Sequence, residues 1–296
     1  MSGIDIVYLW VDGADPAWRT RRQCAYAAWV QAHPGQLALH GNVAGRYRDN
    51  GELRYNLRAL ERFFPGHGHI YLLTDRQVPH WLRVSPRLTV IDHASLMPDA
   101  SLPVFDSGHI ESYLHHIPGL SERFLYLNDD VFFGAPFEPA FWFGEEGEGR
   151  LSVFTESALQ PDLQGLRADV AAPVNCATLS RQWLSAHYAD YRHEPRLYAH
   201  APRPMLKSAL HELEGLAPAM FAGVRDGVPL LAGAGIAARP GAALDGASWA
   251  GAFAHARPAA YRQRRCGCAA AARGAGGTFR PFAVFLYQRY LRRGRR

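Results

Sequence analysis

The chain has 296 residues, of which 48% are hydrophobic and 20% are charged, and its formal net charge is +5 at pH 7. This length and hydrophobic content are sufficient for a buried globular core and exclude an intrinsically disordered chain. The arginines are scattered or terminal rather than gathered in one stripe, so the positive charge does not predict a nucleic-acid-binding protein.

The cysteines and the hydrophobic runs of the sequence indicate the cellular compartment in which the protein is expected. The four cysteines, Cys24, Cys176, Cys266 and Cys268, include one close pair with no second pair to complete a zinc site, and we expect them to be reduced thiols. No run approaches the roughly 18 apolar residues of a membrane span, and no secretory signal is visible, so we expect a cytoplasmic protein. The basic C-terminal tail is compatible with a solvated helix end or with peripheral contact to the anionic inner face of the plasma membrane.

The first predicted element is a strand at residues 4–10, a β-branched and aromatic run. Asp-Gly and Asp-Pro turn signals follow at residues 11–16, and Pro16 can open a helix. A strand, a tight polar loop and a helix in this order are typical of a nucleotide-binding α/β fold, although no Gly-rich dinucleotide motif and no P-loop is present. Asp12 and Asp15 could bind a base or a ribose, or could shape the turn and cap the helix.

The next predicted element is a helix that starts at Asp49 or Asn50 and presents a leucine stripe. Four arginines surround its start: Arg46, Arg48, Arg54 and Arg58. Because a helix N-terminus attracts phosphate and arginine binds phosphate bidentately, the segment is suited to phosphate binding. Neighbouring acidic residues could instead pair with these arginines at the surface, but Arg54 lies beside the leucine stripe, where it needs a partner.

Runs at residues 68–75 and 87–93 predict two further strands, and strands that alternate with helices predict a parallel sheet. A helix over residues 110–117 would place Glu111 and His115 one turn apart on one face. That pair could act as acid and base, could bind a ligand together, or could be an ordinary surface pair.

The segment 121–134 carries the most specific local signal. Its apolar run at residues 124–127 predicts a buried central strand, which leads directly into Asn128, Asp129 and Asp130. Adjacent carboxylates between apolar runs are costly to bury without a cation, and ligands of open α/β sheets bind at the carboxyl ends of strands. This pattern indicates a divalent cation held by Asp129 and Asp130 beside a phosphate, or a turn in which Asn-Asp-Asp serves turn geometry.

The remainder of the chain gives weaker signals. His200 is followed by Pro202 and Pro204, which predict a helix that runs to residue 216, and His200 is well placed to donate to a phosphate or to serve structure. Residues 279–290 predict a final helix. We therefore predict an α/β core over residues 1–170 that binds a nucleotide, and a mainly helical part over residues 171–296 that completes the site.

Four stretches together resemble one known family. They are I-D-I-V-Y-L-W-V-D-G-A-D-P at residues 4–16, R-D-N-G-E-L-R-Y-N-L-R-A-L-E at 48–61, the run from His69 through F-D-S-G-H-I-E-S-Y-L-H-H-I-P-G-L to Y-L-N-D-D-V-F-F-G, and H-A-P-R-P-M-L-K-S-A-L-H-E-L at 200–213. In these motifs the chain resembles the Stealth family, which contains bacterial capsular polysaccharide hexose-1-phosphate transferases and the animal lysosomal-enzyme GlcNAc-1-phosphotransferase.

The resemblance implies a glycosyltransferase-A-like fold, with a mostly parallel sheet flanked by helices and a helical C-terminal portion. It implies transfer of a sugar-1-phosphate from a UDP-sugar, UDP-GlcNAc or a related hexosamine, to a hydroxyl of an oligosaccharide or polysaccharide acceptor. UMP would be released, and a phosphodiester would form in capsular or cell-wall polysaccharide. The expected cofactor is Mg²⁺ or Mn²⁺.

The resemblance also implies roles for single residues. Asp129 and Asp130 match the metal-binding pair, and His200, Glu111 and Arg54 match the catalytic residues. The residues expected to bind substrate are Asp5, Trp10, Asp12, Gly13, Arg48, Asn50, His115, Asn128 and Arg203.

Two departures from the family pattern motivate an alternative function. An Arg-Ser-x-x-Asp-like stretch is reduced to at most Arg225 and Asp226, and a Cys-Leu-Asn-Asp motif near the end has no counterpart around Cys266. His116 also stands where the family often has arginine. The alternative is a homologue with weak or no catalysis that binds a nucleotide-sugar or a glycan.

Overall fold

A computed structural model describes residues 3–32, 44–83, 85–144, 151–164, 170, 172–189, 191–192 and 195–225, and the backbone of residues 262–265. The strands are β1 (Asp5–Leu9), β2 (Ile70–Thr74), β3 (Leu88–Asp92), β4 (Arg123–Asn128), β5 (Ser152–Thr155), β6 (Arg203–Leu206) and β7 (Arg262–Arg265). The α-helices are α1 (Pro16–Ala32), α2 (Glu52–Phe63), α3 (His93–Leu96), α4 (Ser107–Glu111), α5 (Pro139–Phe143), α6 (Ala172–His187), α7 (Lys207–Leu216) and α8 (Pro218–Arg225). Short 3-10 helices span Ala44–Tyr47, Asp99–Ser101 and Leu114–His116.

The central sheet has five strands in the order β3-β2-β1-β4-β6. The first four are parallel, and β6 pairs antiparallel with β4 at the edge. The chain builds outward from β1 to β3 and then crosses to the other side of β1, so the order of strands reverses between β1 and β4. In such sheets a crevice opens at that reversal, beyond the carboxyl ends of the strands. The predicted mostly parallel α/β sheet is confirmed.

Alternating side chains of β1 build the core on both faces of the sheet. Ile6 and Tyr8 are fully buried in a cluster with Leu53 and Leu60 of α2, whereas Val7 is buried among residues of the opposite face. The leucine stripe predicted for α2 therefore packs on the sheet. Truncation of one such leucine to alanine typically costs about 2–5 kcal/mol of unfolding free energy, so α2 is held firmly beside β1 and β4.

Two predicted helices differ from the structure. The segment after His200 first forms the edge strand β6, because the free edge of β4 pairs with it from Arg203 to Leu206, and α7 begins only at Lys207. Pro204 is tolerated there because an edge strand does not need every backbone N–H. The helix predicted over residues 110–117 is interrupted: α4 ends at Glu111, and a 3-10 helix follows at Leu114–His116.

Several predictions concern the C-terminal part of the chain. The final helix at 279–290, the Cys266 and Cys268 pair and the basic tail lie outside the described residues. Strand β6 lies in the part predicted over residues 171–296, yet it forms the edge of the central sheet, whose other strands lie within residues 1–170. Within the described ranges, no helix combines the length and the apolar character that crossing a membrane requires.

Candidate active site

A cavity of about 540 Å³ opens at the carboxyl ends of β1, β2 and β4, where the strand order reverses. Part of its lining is aromatic and includes Trp18, whose ring centroid lies 5.1 Å from that of Tyr47 and 5.4 Å from that of Phe105. A polar part is formed by Asn128, Asp129, Asp130, Glu52, Arg46, Arg48, Asn50 and His200. The cavity therefore offers an apolar surface suited to a flat ring beside a charged surface suited to phosphate and a cation.

Asp129 and Asp130 follow β4 directly and line the cavity. Burial, together with the charges of Asp130, Glu52 and Asp49, raises the pKa of Asp129 to about 8. The ionised form is thus costly without a cation, because several carboxylates share one region. Mg²⁺ and Mn²⁺ prefer oxygen ligands, and Mg²⁺ is often held by one or two carboxylates plus the phosphates of a substrate. The residues present fit such an ion.

His200 lies beside the second carboxylate. Its Nε2 atom is 2.9 Å from Asp130 Oδ1, and its Nδ1 atom is 3.4 Å from the side-chain nitrogen of Asn128. Partial burial raises the pKa of Asp130, but the hydrogen bond and the charge of His200 outweigh this and lower it. The two adjacent carboxylates are consequently driven apart in pKa, which is a common feature of functional sites.

Asn56 of α2 was not singled out from the sequence, and it holds the loop that carries the two carboxylates. Its side chain is fully buried, and its amide nitrogen donates to the carbonyl oxygens of Asn128, Asp129 and Val131 at 3.2, 3.0 and 2.6 Å. Its own oxygen accepts a 2.8 Å bond from the Tyr8 hydroxyl. The signal in the sequence is an asparagine within the leucine stripe, where a polar side chain needs buried partners.

Glu111 reaches the site indirectly. It is buried, and the Tyr126 hydroxyl lies 2.8 Å from both Glu111 Oε1 and Asn128 Oδ1. Arg203 of β6 lies 3.7 Å from Glu111 Oε2 and over the Tyr126 ring. Neither Glu111 nor Arg203 is among the residues that line the cavity. Through Tyr126, this buried group orients Asn128 and so supports the polar lining.

The loop after β1 is fixed by close backbone contacts. Gly13 donates a 2.7 Å bond to the Tyr47 carbonyl, and a Cβ atom at Gly13 would lie 2.1 Å from that oxygen. The backbone of Asp12 exchanges two bonds with the side chain of Gln77, and its carboxylate accepts from Ala14 N at 2.8 Å. Asp12 therefore shapes the turn, and Gly13 lets the segment that carries Arg46, Tyr47 and Arg48 approach it.

Gly13→Ala should therefore displace the segment at residues 44–48 from the loop. We expect unfolding free energy to fall by about 1–3 kcal/mol, the usual cost of overpacking a tight contact. We expect weaker ligand binding in the cavity as well, because Tyr47 and Arg48 line it. Thermal unfolding and titration with UDP as a probe would measure both effects. Gly66→Ala is the matched control, since a Cβ atom there meets nothing within 4 Å; equal behaviour of the two variants would contradict the argument.

The structure brings several predicted residues to the cavity. Trp10, Arg48, Asn50, Asn128, Asp129, Asp130 and His200 all line it. Asn50 is held by Glu52, which accepts 2.6 Å bonds from its backbone and side-chain nitrogens. The lining residues that the sequence did not single out include Trp18, Tyr47, Glu52, His93 and Phe105.

Besides Glu111, Arg203, Asp12 and Gly13, three further predicted residues do not line the cavity. Asp5 begins β1, at the end of the strand opposite the cavity, and its two oxygens accept from the backbone nitrogens of His69 and Ser121 at 2.7 and 2.8 Å. Arg54 is exposed on α2 and does not line the cavity, whereas Arg46 and Arg48 do. His115 is fully buried and contacts Glu214 at 2.6 Å, so it does not pair with Glu111.

Comparisons with known proteins agree with the motifs. Two family models match the chain: Stealth protein CR1, conserved region 1, over residues 3–23, and Stealth protein CR2, conserved region 2, over residues 46–151. The chain is 43% identical over 215 residues to an exopolysaccharide phosphotransferase of Streptomyces coelicolor, covering 71% of this chain and 34% of that protein. These matches confirm the resemblance found in the sequence.

Two further relatives are similar over the same extent. A capsular polysaccharide phosphotransferase of Actinobacillus pleuropneumoniae is 31% identical over 214 residues, which is 72% of this chain and 56% of that protein. An exopolysaccharide phosphotransferase of Mycobacterium tuberculosis is 36% identical over 220 residues, which is 74% of this chain and 39% of that protein. The chain thus spans between a third and somewhat over half of the length of these relatives. A solved structure of mouse xyloside xylosyltransferase 1 aligns over 89% of this chain and 85% of that chain, with a TM-score of 0.39 and 12% sequence identity.

Proposed function

We propose that this chain, which matches Stealth conserved region 1 over residues 3–23 and conserved region 2 over residues 46–151, is a member of the Stealth family and transfers a sugar-1-phosphate from a UDP-sugar to a glycan hydroxyl in polysaccharide biosynthesis. The observation that carries this proposal is the meeting of Asp129, Asp130 and His200 at one wall of a cavity that also presents arginines and aromatic rings. Relatives named exopolysaccharide and capsular polysaccharide phosphotransferases support the class of reaction.

In the proposed reaction, an oxygen of the acceptor hydroxyl attacks the phosphorus that bears the sugar. The bond from that phosphorus to the oxygen of UMP breaks, UMP leaves with the bonding electrons, and the hydroxyl proton passes to a base. Transfer of this kind depends mainly on positioning and on neutralisation of charge. The product is a phosphodiester, and the donor is UDP-GlcNAc or a related hexosamine in this proposal.

Asp129 and Asp130 would hold Mg²⁺ or Mn²⁺, which when bound neutralises the diphosphate and stabilises the charge on the leaving UMP. Arg46 and Arg48 line the same wall and can donate to phosphate oxygens bidentately. The aromatic part of the cavity, with Trp18, Tyr47 and Phe105, is suited to enclose the uracil ring. The polar and apolar parts of the cavity thus match the two halves of a nucleotide-sugar.

His200 is the residue that we assign to the proton of the acceptor. Its side chain is 44% exposed, it lines the cavity, and it is hydrogen-bonded to Asp130, which orients the ring as a carboxylate does in other general bases. Glu111, which matches a catalytic residue of the family, is buried behind Tyr126 and is better suited to positioning.

His200→Asn should reduce kcat by about 10²–10⁴-fold, the usual contribution of a general base, with a smaller change in KM for the UDP-sugar. The measurement is UMP release under saturating donor and metal. His187→Asn, at an exposed histidine of α6, is the matched control and should retain full activity. Full activity of His200→Asn would remove this residue from the chemistry.

The alternative function is binding of a nucleotide-sugar or glycan with little turnover. One observation favours it. Arg225, which is what this chain retains of the family's Arg-Ser-x-x-Asp-like stretch, donates hydrogen bonds to Glu214 and, at 2.7 Å, to the Ser112 carbonyl. In this arrangement Arg225 stabilises the packing of the protein and does not bind an acceptor substrate.

One assay separates the hypotheses. The protein is incubated with UDP-GlcNAc, Mg²⁺ and oligosaccharide acceptors, and UMP and UDP are quantified separately, with other UDP-hexosamines tested in parallel. UMP release that depends on the acceptor supports the proposed function. UDP release would indicate attack at the anomeric carbon instead, and binding without either product would support the alternative.

A further inference from the structure

Three histidines and one glutamate meet outside the cavity, where the 3-10 helix Leu114–His116 packs near α7. Glu214 Oε2 lies 2.6 Å from His115 Nε2 and 2.9 Å from His116 Nε2. The ring of His211 contacts both of these imidazoles, with centroids 4.7 and 5.5 Å away. One ligand atom from each of His115, His211 and Glu214 can be chosen so that all three lie within 4.8 Å of one another.

Local structure explains why these side chains converge. His211 and Glu214 are three residues apart on α7 and therefore share a face of the helix. His115 and His116 end the 3-10 helix that faces them. The cluster therefore joins two segments that are about a hundred residues apart in the chain.

Arg225 of α8 fixes the orientation of the Glu214 carboxylate. It binds Glu214 Oε1 and is itself fixed by the backbone carbonyl and the hydroxyl of Ser112 at 2.7 and 3.2 Å. Glu214 Oε2 is thereby presented to the imidazoles. Carboxylates that bind metals are commonly held in this way by a further hydrogen bond. His115 is fully buried, and its Nε2 atom is the nitrogen that faces Glu214 Oε2.

We propose that His115, His211 and Glu214 bind a divalent transition-metal ion of the Zn²⁺ type. Imidazole nitrogens with one carboxylate oxygen suit Zn²⁺, and a water molecule can take the fourth position of a tetrahedral site. This donor set is poorly suited to Mg²⁺, which prefers oxygen ligands, so the site differs in metal class from the carboxylates Asp129 and Asp130.

The position of the cluster indicates a structural role. His211 is exposed and the His116 side chain is 39% exposed, so an ion can enter from solvent. Once bound, it would tie α7 to the segment that carries Glu111. Since α7 follows β6 directly, the ion would also fix the strand that carries Arg203. An ion bound only by the folded state raises the melting temperature.

The test uses the full chain without affinity histidines, first freed of metal with a chelator. Co²⁺ is titrated and followed by its visible absorption, and Zn²⁺ and Mg²⁺ are then added as competitors. We expect one tetrahedral Co²⁺ per chain, displacement by Zn²⁺ and not by excess Mg²⁺, and a higher melting temperature with Zn²⁺. A Cys266→Ser/Cys268→Ser variant should bind equally well, which distinguishes this site from binding by the cysteine pair.

Single substitutions locate the ion. His211→Ala changes an exposed side chain and should weaken Co²⁺ binding by at least about 100-fold, because even loss of a residue that supports a ligand costs 10–100-fold. His80→Ala, also at an exposed histidine, should bind like the wild type. Circular dichroism would verify that both variants are folded. Absence of tetrahedral Co²⁺ in the wild type, or unchanged affinity in folded His211→Ala, would overturn the proposal.

Discussion

Asp129→Asn should abolish UMP release, by at least about 10³-fold, and should at the same time make the metal-free protein more stable at pH 8. Loss of activity is expected because preorganised groups that stabilise developing charge commonly contribute 10²–10³-fold each, and this carboxylate would also be a ligand of the ion. The gain in stability is expected because burial and the carboxylates of Asp130, Glu52 and Asp49 oppose ionisation of Asp129.

The sign of the pH dependence follows from proton binding. The pKa of Asp129 is about 8 in the folded state and lies near the ordinary value of 3.8 in the unfolded chain. Between these values the folded state binds more protons, so this residue makes the free energy of unfolding fall as pH rises from about 4 to 8. Asparagine removes that contribution. Mg²⁺ should offset it in the wild type, because an ion that binds the folded state stabilises it.

Melting temperatures measured at pH 5 and pH 8, with and without Mg²⁺, check these expectations. Asp99→Asn, at an exposed position in the 3-10 helix Asp99–Ser101, is the matched control and should follow the wild type. If Asp129→Asn were less stable than the wild type at pH 8 without metal, the two carboxylates would not repel each other as described. If it retained activity, the proposed metal site would be in the wrong place.

Asn56→Leu should lower both stability and activity although Asn56 does not line the cavity. Leucine keeps the size of the side chain but leaves the carbonyls of Asn128, Asp129 and Val131 without their donor. Unsatisfied buried groups cost about 1–3 kcal/mol each, and partial relaxation of the loop leads us to expect a loss of about 2–4 kcal/mol in unfolding free energy. Displacement of the carboxylates by about 1 Å can lower kcat by 10²-fold.

Leu53→Ala provides the control for this prediction. Leu53 is a fully buried residue of the same helix, and its truncation is expected to cost a similar 2–5 kcal/mol without removing a bond to the loop. Denaturant unfolding and steady-state kinetics on both variants, at a temperature where both are folded, separate stability from positioning. A kcat loss of the same size in Leu53→Ala would mean that Asn56 acts through stability alone.

Local sequence patterns predicted the structure correctly where all the residues of the pattern lie within one strand or helix. The apolar run at 124–127 followed by Asp129 and Asp130 predicted a buried strand and its acidic end, and both are present in the structure. The leucine stripe of α2 predicted its buried face. Alternation of strands and helices predicted a mostly parallel sheet, because such patterns are set by the period of each element.

Residues whose roles depend on distant partners could not be placed in this way. The position of Arg54 beside the leucine stripe and the family resemblance both predict that it is a site residue, yet Arg46 lines the cavity and Arg54 is exposed. Helical spacing suggested that Glu111 and His115 would pair, but the helix ends between them, and each finds a partner elsewhere: Tyr126 for Glu111 and Glu214 for His115.

By itself, the sequence determined the class of fold, the acidic end of β4 and the motifs that match Stealth conserved regions 1 and 2, because these are recorded in contiguous segments and in the periodicity of single elements. The tertiary structure alone decided which side chains share the cavity, that Asn56 holds the acidic loop, and that three histidines and Glu214 converge outside the cavity. The physical reason is that such contacts join segments between about fifty and a hundred residues apart, as Tyr8 and Asn56 or His115 and Glu214 do. Their meeting depends on strand order and register, which no local pattern specifies.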